Sequence, residues 1–228
     1  WKKVMPWSIS VDLVNDVDAW SKYPRYTSWY NKLWLSEKLG YQCGPAGVCV
    51  PEKGNYIVRP IYNLMGMGLD AKIMFLDPNF TQCQVPAGHF WCEKFDGPQY
   101  SADFQWSHLR DGLWGWKQMY CWCGYNNPHL WRFHKWEKVE YEMALPWFFN
   151  SLGWDWNLQY INVESINSKI IEVHLRQSPD PYGDYTVLIP LWEGDDPKPY
   201  AKSEFTYIAA FDNCDGQLPK ARLGFYVR

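Results

Sequence analysis

No stretch of this chain stays apolar for the ~20 residues a membrane-spanning helix needs, and no signal-peptide pattern opens it. A large charge excess is missing too, since 22 Lys and Arg against 25 Asp and Glu leave a formal charge of −3. That argues against a protein that coats nucleic acid, while a local basic groove stays compatible with it. Cysteine and histidine pairs at zinc-finger spacing are absent. Cys121 and Cys123 flank a single Trp, and Cys43 and Cys49 bracket Gly-Pro-Ala-Gly-Val. The cysteines number seven, so at least one stays unpaired, and a reducing, cytoplasmic setting is the simplest expectation. Internal repeats and low-complexity tracts are lacking as well. The chain opens on Trp1 rather than Met, as a processed, trimmed or partial chain would.

Aromatic residues, by contrast, are abundant: 16 Trp, 16 Tyr and 11 Phe among 228 residues. Trp and Tyr suit half-wet surfaces, so many should line a groove or an interface, unless they simply build a core of large side chains. A chain of this length buries roughly 70% of its unfolded surface and forms one domain or two small lobes.

The most informative stretch is Ile161 to Pro179, INVESINSKIIEVHLRQSP. Ile161 and Val163 alternate with polar residues up to Ile166, Asn167-Ser168 make a turn, and Ile171, Val173 and Leu175 form the apolar face of a second strand. This is the pattern of a β-hairpin. Glu164 lies on its first strand; Glu172 and His174, two apart on the second, point to one face. Two carboxylates and an imidazole on one patch of sheet suit a divalent cation. A solvated, charged sheet face is the competing reading.

Earlier in the chain, a strand is expected at Trp7–Val14 and a helix over Ser28–Leu39, capped by Ser28 and ended by Gly40. Residues 43–55 read as loop, and Tyr56–Pro60 as a strand stopped by proline. Gly66 and Gly68 then lie between two apolar runs, where glycine lets backbone N–H groups approach a phosphate; an ordinary turn is the plainer reading of the glycines alone. A strand ending near Glu93, a Gly97-Pro98 turn and an alternating strand from Tyr100 to Trp106 follow. Across residues 104–136 aromatic and basic residues interleave, which could grip single-stranded nucleic acid, carbohydrate or a peptide. Glu137, Glu140 and Glu142 offset that charge, so an aromatic sheet face with solvated lysines is the plainer reading and nucleic acid is not expected. A short amphipathic helix is expected at residues 143–152, and two late strands at Phe205–Phe211 and Leu223–Val227.

In this order the pieces resemble the ATP-grasp family, which includes D-alanine–D-alanine ligase and glutathione synthetase. The resemblance covers roughly residues 28–180 and is a series of short matches in sequence. Asn31-Lys32 before an apolar helix looks like the family's Asp-Lys helix, whose lysine reaches the nucleotide phosphates. Tyr56-Ile-Val-Arg-Pro60 is similar to a strand that normally ends Val-Lys-Pro, with Arg59 in place of lysine. Asn63–Gly68 stands for the glycine-rich flap, with Gly66 and Gly68 over the phosphates. Glu93-Lys94-Phe95 and then Gly97-Pro98-Gln99-Tyr100 resemble the adenine hinge; Gln99 stands where a glutamate usually binds ribose. Glu164, then Glu172-x-His174, then Ser178-Pro179 are similar to the family's metal-binding acids, Glu-x-Asn and Ser-Pro.

The resemblance implies an α+β fold of two small lobes, each an antiparallel or mixed sheet with helices, and a nucleotide cleft between them. It divides the chain into an N-terminal segment (1–27), a small lobe (28–90), a large lobe (91–180) and a C-terminal extension (181–228). It implies ATP with Mg2+ or Mn2+ held by Glu164, Glu172 and His174. The implied reaction activates a carboxylate of a small molecule or peptide as an acyl phosphate for attack by an amine or another nucleophile. Lys32 is the implied catalytic cation. Asn162 stands where the family often has an arginine, and nearby Arg176 is the candidate substitute. The departures at Arg59, Gln99 and His174, and the short front end, equally suit an inactive binding or structural protein. A compact, tryptophan-rich form of the fold would suit a viral genome.

Overall fold

The structure is a computed structural model, described here for residues 15–80, 84–109, 112–126, 130, 132–155, 157–180, 185–200 and 204–228. The strand expected at Trp7–Val14 lies outside the described residues. Two antiparallel sheets make up the molecule. The smaller has strands β1 (Cys43–Pro45), β2 (Gly54–Pro60), β3 (Lys72–Leu76) and β4 (His89–Glu93), in the order β1-β4-β2-β3. The larger has β5 (Gln99–His108), β6 (Trp114–Asn126), β7 (Phe133–Lys138), β8 (Tyr160–Ile166), β9 (Lys169–His174), β10 (Val187–Trp192), β11 (Thr206–Asp212) and β12 (Arg222–Val227). Its order is β11-β12-β10-β7-β6-β5-β8-β9, every pairing antiparallel.

Helix is scarce. α1 (Asp16–Lys22) starts at Asn15, whose side chain accepts from the Asp18 N–H. The helix expected at Ser28–Leu39 is two elements: a 3-10 segment over Pro24–Tyr30, then α2 (Lys32–Lys38). The cap of α2 is Asn31, not Ser28, because the Asn31 side chain accepts from the Trp34 N–H. Gly40 follows at φ +75°. The helix expected at 143–152 is a 3-10 segment at Trp147–Trp154. A short edge strand, β1, replaces part of the loop expected at 43–55, as Cys43, Gly44 and Pro45 pair with Cys92, Trp91 and Phe90.

The strand period of two sorts side chains between core and cleft. On β5 and β8, Ala102, Phe104, Ile161 and Val163 are buried against α1, α2 and both 3-10 segments. Between them, Gln99, Ser101, Asn162 and Glu164 turn to the opposite face and line a cleft. β9 shows a correction to the expected hairpin. Glu164 pairs with Glu172, but Ser165 pairs with Ile170, so Ile171 is an extra, bulged residue. Ile170, Val173 and Leu175 are therefore the core residues, and Ile171 joins Glu172 and His174 at the cleft. The turn itself is as expected, with Asn167 and Ser168 at φ +46° and +65°.

The C-terminal stretch is no appendage. β10 pairs with β7 on one side and β12 on the other, so three strands after residue 180 complete the larger sheet. Trp136, Leu188, Phe225 and Val227 form a core of their own there. In the aromatic segment 104–136, Trp106 and Trp114 stack and Trp116 packs edge-on to Trp106, while Lys135 pairs with Glu137 and Arg132 with Asp195. Its basic residues are thus partly neutralised in place.

Candidate functional site

A cleft of about 400 Å³ opens between the two sheets. One wall comes from β2 and β4 with Arg59 and Cys92, and from the loop 63–71; the other comes from β5, β8, β9 and the strands around Trp136 and Trp192. The hinge Lys94–Gly97 closes one end, and the Lys94 ammonium is paired with Asp96. Gly97 has a structural reason: at φ +131° a Cβ would lie 2.8 Å from the Asn167 Cβ. The Asn167 N–H also donates to the Pro98 carbonyl at 3.0 Å, so hinge and hairpin turn are locked together.

Lys32, Arg59, Gly66, Gly68, Lys94, Phe95, Gln99, Glu164, Glu172, His174 and Arg176, all singled out in the sequence, line this one cleft. Glu93 does not. It sits at the end of β4, and its carboxylate accepts from the Gln42 N–H at 3.0 Å.

At the centre of the cleft is a buried array of charge. Lys32 Nζ lies 2.7 Å from Glu172 Oε1, with both side chains nearly out of solvent. Glu164 Oε2 accepts from Gln99 Nε2 at 3.0 Å. His174 Nε2 stands 3.8 Å from both Glu164 Oε1 and Glu172 Oε1. On its far side, His174 Nδ1 meets Asp16 Oδ2 at 2.9 Å, and Arg176 reaches the same oxygen at 2.6 Å. Burial by itself would push the His174 pKa down, but the Asp16 carboxylate outweighs it and holds the imidazole up at about 10. Burial would likewise raise Asp16, yet His174 and Arg176 pull it well below the usual carboxylate range. Glu172 follows the same logic: burial raises it, Lys32 and His174 lower it, and the net direction is down.

Arg59 is 8% exposed, lies over the Phe90 ring at 5.3 Å, and its Nε finds no hydrogen-bond partner among the described residues. The Nε atoms of Arg176 and Arg222, which also line the cleft, are likewise unpartnered. Buried N–H donors left unmatched on a cleft wall are suited to an anion.

Three features escaped sequence reasoning. Asp16 is 3% exposed and anchors His174 and Arg176 from 158 and 160 positions away; only its place in an Asn-capped, acid-rich first turn could have flagged it. Asp103 is buried on β5, where its Oδ1 accepts from Asn162 Nδ2 and from the Ser178 N–H, each at 2.9 Å. Burial pushes its pKa up to about 6 against those hydrogen bonds. Third, the loop 63–71 is fastened to the end of β10 and to the connection between β11 and β12. Met65, Met67 and Leu69 pack on Trp192, Cys214 and Leu218, and the Cys214 thiol donates to the Met65 carbonyl at 3.3 Å. The loop takes left-handed backbone at Gly66, Met67, Gly68 and Asp70.

The three residues expected to hold a metal, Glu164, Glu172 and His174, all line the cleft. Among the described residues no group of three or more His, Cys, Asp and Glu side chains is arranged to hold a metal ion. His174 faces carboxylates through both nitrogens, Asp16 on one side and Glu164 and Glu172 on the other. Magnesium requires oxygen ligands in octahedral array, and Lys32 and Gln99 already hold oxygens of Glu172 and Glu164. Glu164 and Glu172 are the residues that would hold a magnesium ion, which usually takes one or two carboxylates together with phosphate oxygens and water.

No protein-family model matches the sequence, and no curated protein matches it. Solved structures do match. N5-carboxyaminoimidazole synthetase from Staphylococcus aureus aligns over 87% of this chain and 66% of its own, at TM-score 0.52 and 9% identity. The chain has the ATP-grasp fold. An ATP-grasp superfamily protein from Archaeoglobus fulgidus (TM-score 0.40, 16% identity) and an L-amino acid ligase from Bacillus licheniformis (TM-score 0.43, 10% identity) also match. The aligned parts cover 67% and 66% of this chain, but only 47% and 41% of those proteins. No helix among the described residues is long and apolar enough to cross a membrane.

Proposed function

We propose that the cleft binds ATP and that the protein is an ATP-dependent ligase of the ATP-grasp type, activating a carboxylate as an acyl phosphate for attack by an amine or another nucleophile. One observation carries this reading: four separated stretches, around Lys32, Arg59–Gly68, Lys94–Gln99 and Glu164–Arg176, line a single cavity in an ATP-grasp fold. In this reading the Lys94–Phe95 backbone receives the adenine edge and Gln99 faces the ribose. Gly66 and Gly68 let the loop backbone approach the phosphates, where Arg59 and Lys32 supply positive charge. The transferred phosphoryl group gains its stabilisation from these cations, and Arg176 stands by for the substrate carboxylate. The amine then displaces phosphate from the acyl carbon.

A second reading, a nucleotide-binding ATP-grasp protein without turnover, is favoured by the Lys32–Glu172 pair, which occupies a carboxylate the ligase reading would use. Two measurements decide. Calorimetric titration with ATP should give a saturable isotherm, and absence of binding overturns both readings. ADP release dependent on an added carboxylate and amine, tested over mixed pools, supports the ligase; binding without turnover supports the second reading.

A further inference from the structure

Part of the cleft wall comes from the C-terminal strands, and the nucleotide reading makes no use of its chemistry. We infer that Arg222, Asp180 and Asp212 form a subsite for the charged groups of a free α-amino acid, whose apolar side chain lies on the adjoining wall of Trp192, Phe133 and Trp136. The inference deepens the ligase reading of this cleft by naming a class of substrate, and the amino acid's part in the reaction rests on that reading.

Strand register builds the subsite. Trp192 on β10, Arg222 on β12 and Asp212 on β11 stand opposite one another across three adjacent strands. The ladders on both sides of β12 slip at Leu223. Gly224 pairs with Leu191 and Ala209, and the next pairs are Arg222 with Trp192 and with Asp212. Irregularities of this kind re-aim side chains. In a regular pleat Arg222 and Phe225, three apart, would face opposite sides. Here the Arg222 guanidinium lies over the Phe225 ring at 4.5 Å. Asp180 arrives from the segment after β9, and it lines the same cavity as Trp192, Arg222 and Asp212.

The polar groups gathered there are incomplete. Asp180 Oδ1 lies 3.2 Å from Arg222 Nη1 but outside hydrogen-bond geometry, and it has no hydrogen-bond partner among the described residues. Arg222 Nε has none either. Asp212 Oδ1 accepts from the Cys214 N–H at 2.9 Å, while its Oδ2 is 3.6 Å from Arg222 Nη2, beyond hydrogen-bond range. Only 11% of the Arg222 side chain and 15% of the Asp180 side chain are exposed, so water completes them poorly. An unmet donor beside an unmet acceptor is costly to bury. A ligand carrying an ammonium and a carboxylate on one carbon matches both at once. An amine alone would leave the guanidinium unmet, and a simple acid would leave the aspartates unmet.

Charge points the same way. One guanidinium stands between two carboxylates, a surplus of one negative charge. Arg176, which also acts on Asp180, is committed to Asp16 at 2.6 Å. A plain anion is disfavoured there, whereas a zwitterion brings its ammonium to the acids and adds no net charge to a buried place. The wall alongside is apolar. Trp192 Nε1 donates to the Phe133 carbonyl at 2.9 Å, the Phe133 and Trp136 rings lie 4.3 Å apart, and all three line the cavity. Such a wall suits an aliphatic or aromatic side chain.

The test is calorimetric titration of the full chain, with the non-hydrolysable analogue AMP-PNP and MgCl2 present, against L-phenylalanine, L-leucine and L-methionine in turn. At least one should give a saturable isotherm. The tightest should bind about tenfold or more weaker once its amino group or its carboxylate is removed; for phenylalanine these analogues are phenylpropanoate and phenethylamine. Asp180→Asn and Arg222→Gln should each weaken the amino acid by a similar factor at unchanged far-UV circular dichroism. The inference is overturned if none of the three amino acids binds, or if either analogue binds as tightly as its parent. A separate titration with ATP alone then decides the ATP reading by itself. Amino-acid binding in a protein that binds no ATP keeps the subsite and overturns the ligase reading.

Discussion

Lys32 Nζ, on the first turn of α2, lies 2.7 Å from Glu172 Oε1 on β9, with 6% and 13% of the two side chains exposed. A pair this deep is costly to break from one side. Removing one partner strands the other charge, at about 3–5 kcal/mol. Lys32→Met should therefore destabilise the protein by that order in urea unfolding, and the double variant with Glu172→Gln should recover much of the loss.

Stability should fall on the alkaline side. Free histidine titrates near 6.5, while His174 in the folded protein holds its proton to about 10 because of Asp16. Between those values the native state binds more protons than the unfolded one, so stability is fully present below the lower value and is lost as pH rises towards 10. Denaturant midpoints from pH 6 to 10 should decline. Asp16→Asn should flatten the decline while lowering stability at pH 7.

Asp103 acts over a lower window. Burial raises its pKa from 3.8 to about 6, so its contribution to stability is present below pH 4 and lost as pH rises towards 6. Asp103→Asn keeps an acceptor oxygen for Asn162 and the Ser178 N–H. The variant should gain stability relative to the parent at pH 7.5 and show no such gain at pH 4, as read by urea midpoints.

The loop over the cleft is held by its contact with the end of β10 and the connection between β11 and β12. Leu218 is 8% exposed and packs with Cys214 and Trp192 beneath Met65, Met67 and Leu69. Leu218→Ala should cost about 2 kcal/mol and speed amide exchange over residues 64–70 more than elsewhere. In the same loop Gly66 sits at φ +72° with nothing within 4 Å of an added Cβ. Gly66→Ala should therefore cost about 1 kcal/mol through backbone strain alone, and weaken ATP binding.

Truncation after residue 180 should abolish folding rather than trim a tail. It would remove β10, β11 and β12 and bare β7 as a sheet edge, with Trp136 losing Leu188, Phe225 and Val227 as its packing partners. The expected readout is aggregation or loss of the thermal transition; a stable, cooperatively melting product would contradict the register seen here.

Much of the hairpin could be read in advance, because a two-residue period with Asn-Ser between two apolar runs has few other solutions. The face carrying Glu164, Glu172 and His174 was legible for the same reason. The bulge at Ile171 was not: Ile170 and Ile171 are chemically the same, and only pairing with Ser165 chooses which one enters the core. Ser28 and Asn31 are both competent caps, so local chemistry could not choose between them. Packing of Trp29 and Tyr30 into the core bends the chain into a 3-10 turn first and moves the helix start to Lys32.

Alternation, turn residues and short ordered motifs, all properties of neighbours in the chain, were enough to place strands, hairpin turn, hinge and glycine loop, and to point to one family fold. The partners of the charged groups belong to the tertiary structure alone. Asp16 meets His174, Lys32 meets Glu172 and Cys214 meets Met65 across 158, 140 and 149 positions of chain. A carboxylate's role depends on which cation reaches it when water is excluded, and that is settled only when the sheets close on each other.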